Sequence, residues 1–180
     1  MNPLYLFVGK SASGKTTIAD LLESKYGLKQ VRSYTTRKPR YENEPGHIFV
    51  SEQDFESLGD LAAYTFYNGN HYGTTFDQLN ECSIYVIDPS GVETLLSKYI
   101  GRPIVILYFN ASVYTRINRM LDRGDSDTQI VGRLLQDEKD DWETWLLNSM
   151  LYLDNEDVTL HSINADAHLD NVVEQVLKYI

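Results

Sequence analysis

The sequence predicts an α/β domain with three layers and a parallel sheet, and two observations lead to this fold class. Short apolar runs rich in β-branched and aromatic residues alternate along the chain with segments of helical periodicity. These runs show little polar alternation, which is typical of strands covered on both faces. The chain has 180 residues and no Pro/Gly/Ser-rich linker. We therefore expect a single domain over residues 1–180.

Four apolar runs are predicted to form the strands of the sheet. They lie at Leu4–Val8, Ser83–Ile87, Ile104–Phe109 and Thr159–Ile163. The clearest helical patterns lie at Thr16–Tyr26 and from Leu169 to Ile180, where apolar residues recur at helical spacing. Strands that alternate with helices favour right-handed crossover connections around a parallel sheet.

Two stretches interrupt this core. Residues 34–80 are rich in Tyr, Thr, Asn and Gly and show little helical period, which predicts an inserted small β-rich lobe that binds a ligand. Residues 112–150 are polar and arginine-rich, and we expect a helical lid there. Within it, the acidic run Asp137–Glu143 is predicted to be a solvated helix face, whereas Trp142 and Trp145 are expected to pack onto the core. The core then comprises residues 1–33, 81–111 and 151–180.

The charge is unevenly distributed along the chain. The formal net charge is −10, but residues 9–40 carry eight basic and two acidic side chains, a local net charge of +6. The remainder repels polyanions at long range, which argues against nucleic acid or an anionic membrane as a partner. A small anion can still bind at the basic segment, so the expected partners are small molecules.

Cysteine content and hydropathy indicate the compartment. Cys82 is the only cysteine, which excludes an internal disulfide and an all-cysteine metal site. No apolar run approaches the roughly 20 residues that cross a bilayer, and the first run is too short for a signal sequence. We expect a cytoplasmic protein, and either a monomer or a dimer is compatible with these features.

The strongest motif lies at residues 9–16. They read Gly-Lys-Ser-Ala-Ser-Gly-Lys-Thr and match G-x-x-x-x-G-K-[ST] at every fixed position. A predicted strand precedes the motif and a predicted helix follows it, so backbone N–H groups and the helix N-terminus can hold one anion together. Lys15 can then reach the β- and γ-phosphates, and the Thr16 hydroxyl can bind Mg²⁺.

This motif predicts a nucleoside-triphosphate site. The residues expected to bind the donor through it are Gly9, Ser11, Ala12, Ser13, Gly14, Lys15, Thr16 and Thr17. A GTPase would normally carry an N-K-x-D stretch that reads the base, and this sequence has none.

A second motif, Thr35-Thr36-Arg37-Lys38-Pro39-Arg40, places two arginines three residues apart around a proline. Proline stiffens the segment, and two planar guanidinium groups suit a phosphate monoester that accepts paired hydrogen bonds. The segment therefore predicts a second phosphate site, for an acceptor.

Together the two motifs resemble the guanylate kinases, and the resemblance covers nearly the whole chain. Further matching segments follow in order at Gly46–Ser51, Gly69–Thr74, Ile87–Gly91, Arg119–Gly124 and Ile163–Asp166. The resemblance implies a phosphate-loop core, a lobe that binds the nucleoside monophosphate and an arginine lid. It also implies transfer of the γ-phosphoryl group of ATP to GMP or dGMP, with Mg²⁺ bound to the ATP.

The resemblance assigns roles residue by residue. Acceptor contacts fall on Ser33, Arg37, Arg40, Tyr72 and Thr74. His47 and Asp88 are further candidates for acceptor contacts, from their own positions in the sequence. Catalytic roles in neutralising the transferred phosphate fall on Lys15, Arg37, Arg119, Arg123 and Arg133. Asn164 would lie near the donor adenine, and Thr16 would be the metal ligand.

Three positions depart from the family pattern. Ala63 stands where the family has the glutamate that reads guanine, Val86 replaces an aspartate near the metal, and His47 replaces a tyrosine. A site without the glutamate loses a large factor of base discrimination. The loss of the aspartate is milder, since phosphates and waters can complete a Mg²⁺ shell. Asp60, Glu42 or Asp88 could supply the missing carboxylate.

Two alternative functions follow from these departures. One is a kinase of the same fold with a different phosphorylated acceptor, such as another nucleoside monophosphate or ribose 1,5-bisphosphate. The other is a guanylate-kinase-like module that binds partners without catalysis; the intact Lys15 and Thr16 argue against it.

Overall fold

The computed structural model describes residues 2–39, 42–98, 101–140, 142–149 and 156–180. The strands are β1 (Leu4–Val8), β2 (Ser33–Thr35), β3 (His47–Phe49), β4 (Ala63–Tyr67), β5 (Asn70–Thr74), β6 (Ile84–Val86), β7 (Ile104–Asn110) and β8 (Val158–Asn164). The helices are α1 (Lys15–Tyr26), α2 (Glu52–Glu56), α3 (Phe76–Glu81), α4 (Pro89–Lys98), α5 (Val113–Asp122), α6 (Asp127–Lys139), α7 (Trp142–Ser149) and α8 (Leu169–Leu177).

Four parallel strands form the core sheet in the order β6-β1-β7-β8. β1 is central and pairs with β6 and β7, placing Tyr5 opposite both Ile84 and Val105. β7 pairs with β8 along its whole length. The four predicted strands are confirmed to within one residue at each end, because continuous apolar runs of this length fit strands buried on both faces.

The sheet is covered on both faces, which confirms the prediction of three layers. Along β1, Leu4, Leu6 and Val8 contribute to one hydrophobic cluster, whereas Tyr5 and Phe7 contribute to the other. Alternation along the strand sends these two sets to opposite faces. Helices α4 and α7 complete the first cluster, and α1 and α8 complete the second.

A second sheet forms the predicted β-rich lobe. Its order is β3-β2-β5-β4, with β2 parallel to β3 and both β2 and β4 antiparallel to β5. The pairing places Thr35 opposite Tyr72 and Ala63 opposite Thr74. The residues at the inner ends of these strands are therefore brought together although they lie far apart in the sequence.

The lobe also contains two short helices that the sequence analysis did not predict. In α2, the Ser51 hydroxyl accepts a hydrogen bond from the Asp54 N–H, and α3 begins with a reciprocal capping box between Thr75 and Gln78. These helices have five and six residues, too few for a helical period, so their caps were the only sequence indication.

Three helices, α5 to α7, lie within the predicted lid. Trp142 and Trp145 are buried in the core cluster, as expected. The predicted solvated face over Asp137–Glu143 is wrong at Asp137, whose exposed fraction is 5%. Asp137 is buried because it forms an ion pair with Arg116 of α5, a contact between helices that no local pattern predicts.

Within the described residues, no helix has both the length and the apolar character needed to cross a membrane. The division of the chain into core, lobe and lid at the boundaries given above stays a prediction.

The position of β1 at the centre of the core generates a stability prediction. We expect Leu6→Ala to lower the free energy of unfolding by about 2–5 kcal/mol, because Leu6 is fully buried and its truncation leaves a cavity. The matched control is Leu147→Ala on α7, where the side chain is 69% exposed and the change should stay within about 0.5 kcal/mol. Denaturant unfolding measures both, and equal losses would contradict the assignment of Leu6 to the core.

Candidate functional site

The segment between β1 and α1 forms a tight loop, and two of its glycines are required there. A Cβ at Gly9 would lie 2.6 Å from the Phe109 carbonyl oxygen and 2.9 Å from the Ser13 Oγ, so no side chain fits. Gly14 has a φ of +99° and precedes the first residue of α1, a left-handed conformation that other residues rarely adopt. The fixed glycines of the motif thus form the turn that the sequence predicts.

The Lys15 side chain folds back over this loop. Its Nζ donates hydrogen bonds to the carbonyl oxygens of Gly9, at 2.5 Å, and Lys10, at 3.0 Å. A third bond, at 3.2 Å, goes to the Ser13 hydroxyl. The ammonium group is therefore held at the mouth of the loop by the loop's own oxygens, which fixes a positive charge where an anion would bind.

The electrostatic surroundings of Lys15 come from three parts of the chain. Part of the side chain remains exposed, but burial of the ammonium group lowers its pKa to about 8. The charges of Asp137 and Asp88 raise that pKa, and the charge of Arg116 lowers it. The lid helices α5 and α6 and the carboxyl end of β6 therefore face the same cleft as the loop.

A carboxylate of the lid lies on the phosphate loop. The Asp137 oxygens accept hydrogen bonds from the Ser11 backbone N–H, at 3.0 and 3.2 Å, and Oδ1 accepts one from the Ser11 hydroxyl at 3.0 Å. Asp137 also pairs with Arg116 at 2.5 Å. One N–H of the loop is thus already bound to an anionic group of this chain.

The three lid arginines named from the resemblance lie in two places. Arg119 of α5 donates to the Ser13 carbonyl oxygen at 3.0 Å, so it is fixed against the phosphate loop. Arg123 and Arg133 both pair with Asp125, the Arg133 Nε at 3.3 Å from the Asp125 Oδ2. The structure therefore brings Arg119 to the loop and holds the other two on a lid carboxylate.

A cavity of about 510 Å³ opens beside the start of α1. It is lined by the loop, by Arg119 and Arg123 of the lid, and by Ala165 and Leu169 near the start of α8. Asn164 immediately precedes this lining; it is exposed, and its side chain accepts a hydrogen bond from the backbone N–H of Asp166. The cavity has the size of a small-molecule site.

The groups available to a metal ion are few. Thr16 and Thr17 are exposed on the first turn of α1, and Val86 provides no carboxylate at the end of β6. Within the described residues there is no cluster of three metal-ligating side chains. This donor set fits Mg²⁺, which keeps several waters and substrate phosphates when proteins bind it through one or two groups.

On the acceptor side, Arg37 is bound to a carboxylate of the chain. Its guanidinium donates two hydrogen bonds to Glu44, at 2.8 and 3.2 Å, and lies over the Phe49 ring at 5.2 Å. The Glu44 side chain is 6% exposed, and its hydrogen bond raises the pKa of Arg37 further above the ordinary value. Arg40, the other predicted phosphate ligand, lies outside the described residues.

Ser33, His47 and Tyr72 meet beside Arg37. The Ser33 hydroxyl is hydrogen-bonded to the His47 Nδ1 at 2.9 Å, and the His47 and Tyr72 rings lie 5.7 Å apart. Tyr72 also interacts with Arg37. Thr74 differs from these residues: it is fully buried, and its hydroxyl donates to the Gln78 side chain at 2.8 Å.

Asp88 is held by two donors at the junction of β6 and α4. Its Oδ1 accepts a hydrogen bond from the Thr65 hydroxyl at 2.8 Å and one from the Gly91 N–H at 3.0 Å. Ala63 and Thr65 both lie on the buried face of β4. Asp60, Glu42 and Asp88 were the candidates to replace the missing glutamate. Asp60 is exposed and pairs with Lys98, and Glu42 is exposed as well. Asp88 is therefore the candidate carboxylate that remains at the cleft.

Sequence reasoning missed four residues that the structure brings into the site: Arg116, Asp137, Glu44 and Thr65. Arg116 precedes Arg119 by three residues, so helical periodicity could have placed both on one face. Thr65 is two residues from Ala63, so strand alternation could have placed it at the acceptor. Asp137 and Glu44 act through contacts with distant groups, and no local pattern identifies them.

Comparison with known proteins identifies the relatives of this chain. It is 31% identical over 140 residues to the guanylate kinase of Geobacter metallireducens, and this alignment covers 71% of this chain and 68% of the relative. It is 29% identical over 183 residues to the guanylate kinase of Neisseria gonorrhoeae, covering 90% and 87% of the two chains. No protein-family model matches the sequence.

A solved structure supports the same fold. The crystal structure of guanylate kinase from Anaplasma phagocytophilum superimposes with a TM-score of 0.56 at 14% identity, covering 98% of this chain and 83% of that chain. At this identity the similarity is one of fold.

The lowered pKa of Lys15 generates a prediction for nucleotide binding. An anion bound at the loop should return Lys15 to its ordinary pKa, so the complex takes up the proton that the free protein lacks. For a free pKa of about 8, uptake should rise from about a tenth of a proton at pH 7 to about nine-tenths at pH 9.

Calorimetry of Mg²⁺–ATP binding in buffers with different ionisation enthalpies measures this uptake. Above pH 8 the nucleotide itself is fully deprotonated, so the signal belongs to the protein. Proton uptake that stays constant between pH 7 and pH 9 would show that Lys15 titrates outside this range.

Proposed function

The chain belongs to the guanylate kinase family, and on this premise we propose that it transfers the γ-phosphoryl group of ATP to GMP or dGMP. The products are ADP and GDP or dGDP. The observation that carries the proposal is the loop at residues 9–16, which joins the central strand to α1 and holds Lys15 at its mouth. The β-rich lobe with Arg37, His47 and Tyr72 provides the second half of the site.

On the donor side, the loop and the start of α1 would bind the phosphates of ATP. Lys15 would bind the β- and γ-phosphates, and Arg119 would hold the lid helix α5 against the loop. The cavity between the loop and α8 would take the adenosine, with Asn164 at its edge. When bound, Mg²⁺ neutralises part of the phosphate charge, and in this chain the Thr16 hydroxyl would hold it.

On the acceptor side, Arg37 and Arg40 would bind the phosphate of GMP. Arg37 already forms a two-point contact with Glu44, the geometry in which a guanidinium binds a phosphate. The incoming phosphate would therefore take over donors that Glu44 now occupies. Tyr72, adjacent to Arg37 and His47, would complete this contact.

The transfer itself requires little acid–base chemistry. A terminal oxygen of the GMP phosphate attacks the γ-phosphorus while the bond from phosphorus to the bridging oxygen of ADP breaks. The acceptor oxygen is already negatively charged, so no general base is needed. The tasks of the protein are alignment, exclusion of water and neutralisation of charge. Arg123 and Arg133 would contribute once they leave Asp125 as the lid closes.

Recognition of the base is one part of the site in which the resemblance implies a departure from the family. Ala63 is fully buried and offers no hydrogen-bonding group to guanine. Asp88, oriented by Thr65, is the carboxylate that remains at the cleft, and we assign it to the guanine donors. The lack of a hydrogen-bonding side chain at the buried Ala63 also favours a second candidate, an acceptor without guanine such as ribose 1,5-bisphosphate.

The proposed ligands are small-molecule nucleotides, and we propose the cytoplasm as the place of action. Neither nucleic acid nor a membrane is part of the proposal, because the chain outside residues 9–40 carries a net negative charge that repels polyanions.

An acceptor panel tests the proposed function. ADP formation from Mg²⁺–ATP is measured with GMP, dGMP, AMP, CMP, UMP and ribose 1,5-bisphosphate in separate reactions. We expect turnover with GMP or dGMP, and none with any acceptor after Lys15→Ala, because the loop loses the charge that stabilises the transferred group. Turnover restricted to an acceptor without guanine would replace GMP by the second candidate.

The contact between Thr65 and Asp88 generates a prediction for base recognition. Thr65→Val removes the hydroxyl that orients Asp88 and should raise the KM for GMP about tenfold, since a hydrogen bond to a charged group contributes about 1.5–3 kcal/mol. The KM for ATP should not change. Thr65→Ser, which keeps the hydroxyl, is the matched control, and its KM for GMP should equal that of the wild type. If Thr65→Val and Thr65→Ser change this KM equally, Thr65 does not act by positioning Asp88.

A further inference from the structure

The ion pair between Arg116 and Asp137 has no assigned role in the mechanism above. Arg116 lies on α5 and Asp137 on α6, and the two side chains are 7% and 6% exposed. Burial of an ion pair adds little stability, because the cost of removing both charges from water offsets their attraction. Stability alone therefore does not explain why the pair lies beside the phosphate loop.

The Asp137 carboxylate accepts hydrogen bonds from the phosphate loop, as a bound phosphate would. Both of its oxygens accept from the Ser11 N–H, and one accepts from the Ser11 hydroxyl. Backbone N–H groups in such loops bind phosphate oxygens. The carboxylate thus occupies a donor that a phosphate of the nucleotide can use, and the two anions cannot share it.

Arg116 is the cation that lies next to this point. Its Nη1 lies 2.5 Å from the Asp137 Oδ2 and 3.5 Å from the Ser11 carbonyl oxygen. Among the described residues, its buried Nε has no hydrogen-bond partner. The guanidinium therefore has a donor to spare at the loop, whereas Arg119, one turn further along α5, already donates to the Ser13 and Ala165 carbonyl oxygens.

We propose that Arg116 is a ligand of the donor's terminal phosphate, and that Asp137 occupies this position until the nucleotide binds. The phosphate displaces the carboxylate from both Ser11 and Arg116, and repulsion between the two anions turns the Asp137 side chain away from the loop. Without nucleotide, Asp137 neutralises the buried charge of Arg116. This inference rests on the proposed function, because it takes Mg²⁺–ATP as the ligand of the loop.

Binding of a non-hydrolysable ATP analogue with Mg²⁺, measured by calorimetry without acceptor, tests the proposal. Asp137→Asn removes the competing charge and should bind the analogue about tenfold more tightly than the wild type. Adding Arg116→Met to this variant should abolish the gain, because the phosphate then loses its cation. Asp127→Asn, an exposed aspartate on the same helix, is the matched control and should bind as the wild type does.

If the ion pair between Arg116 and Asp137 is purely structural, the affinities for the analogue follow a different pattern. Asp137→Asn would then bind no more tightly than the wild type, or the double variant would bind as tightly as Asp137→Asn, and either result overturns the proposal. Because Asp137→Asn leaves Arg116 buried without its partner and so lowers the stability of the fold, a second measurement uses the wild-type protein.

That measurement is a crystal structure of the wild-type protein with Mg²⁺ and the analogue. We expect Arg116 on the terminal phosphate and Asp137 away from Ser11. A bound analogue with the carboxylate still on Ser11 contradicts this inference alone. An analogue that does not bind the wild-type protein at all contradicts the proposed function as well.

Discussion

The charge at the loop after β1 is the constraint on which the rest of the molecule depends. The loop gathers backbone N–H groups and Lys15 at one end of the core sheet, where burial lowers the pKa of the ammonium group to about 8. A concentration of positive charge in a partly buried place needs an anion. The chain supplies one with Asp137, and substrate phosphates would supply it during catalysis.

The same arrangement recurs at the acceptor. Glu44 accepts hydrogen bonds from the Arg37 guanidinium, just as Asp137 accepts one from a backbone N–H of the phosphate loop. Both carboxylates are almost completely buried, so each cationic site carries its own counterion within the protein. In the proposed function, substrate binding would then be an exchange of one anion for another, and the free protein would leave no unpaired positive charge in either half of the cleft.

Local chemistry made much of this structure predictable from the sequence. The strands of the core sheet follow from apolar runs, and the loop follows from its glycines, as the space around Gly9 explains. The contacts that close the site do not follow in this way. Asp137 and Ser11 are 126 residues apart, and an acidic residue on a polar helix has the same local pattern whether it faces solvent or a loop. Glu44 was overlooked for the same reason, since only the fold shows that it faces Arg37.

The attachment of the lid to the core has a spectroscopic consequence. Both tryptophans of the chain lie on α7; Trp142 lies 6.2 Å from the Tyr108 ring and 6.1 Å from Trp145. Both rings are buried in the hydrophobic core cluster, and among the described residues neither indole N–H has a hydrogen-bond partner. The tryptophan fluorescence of this protein therefore originates from a single helix, and its emission wavelength reports whether that helix stays packed on the core.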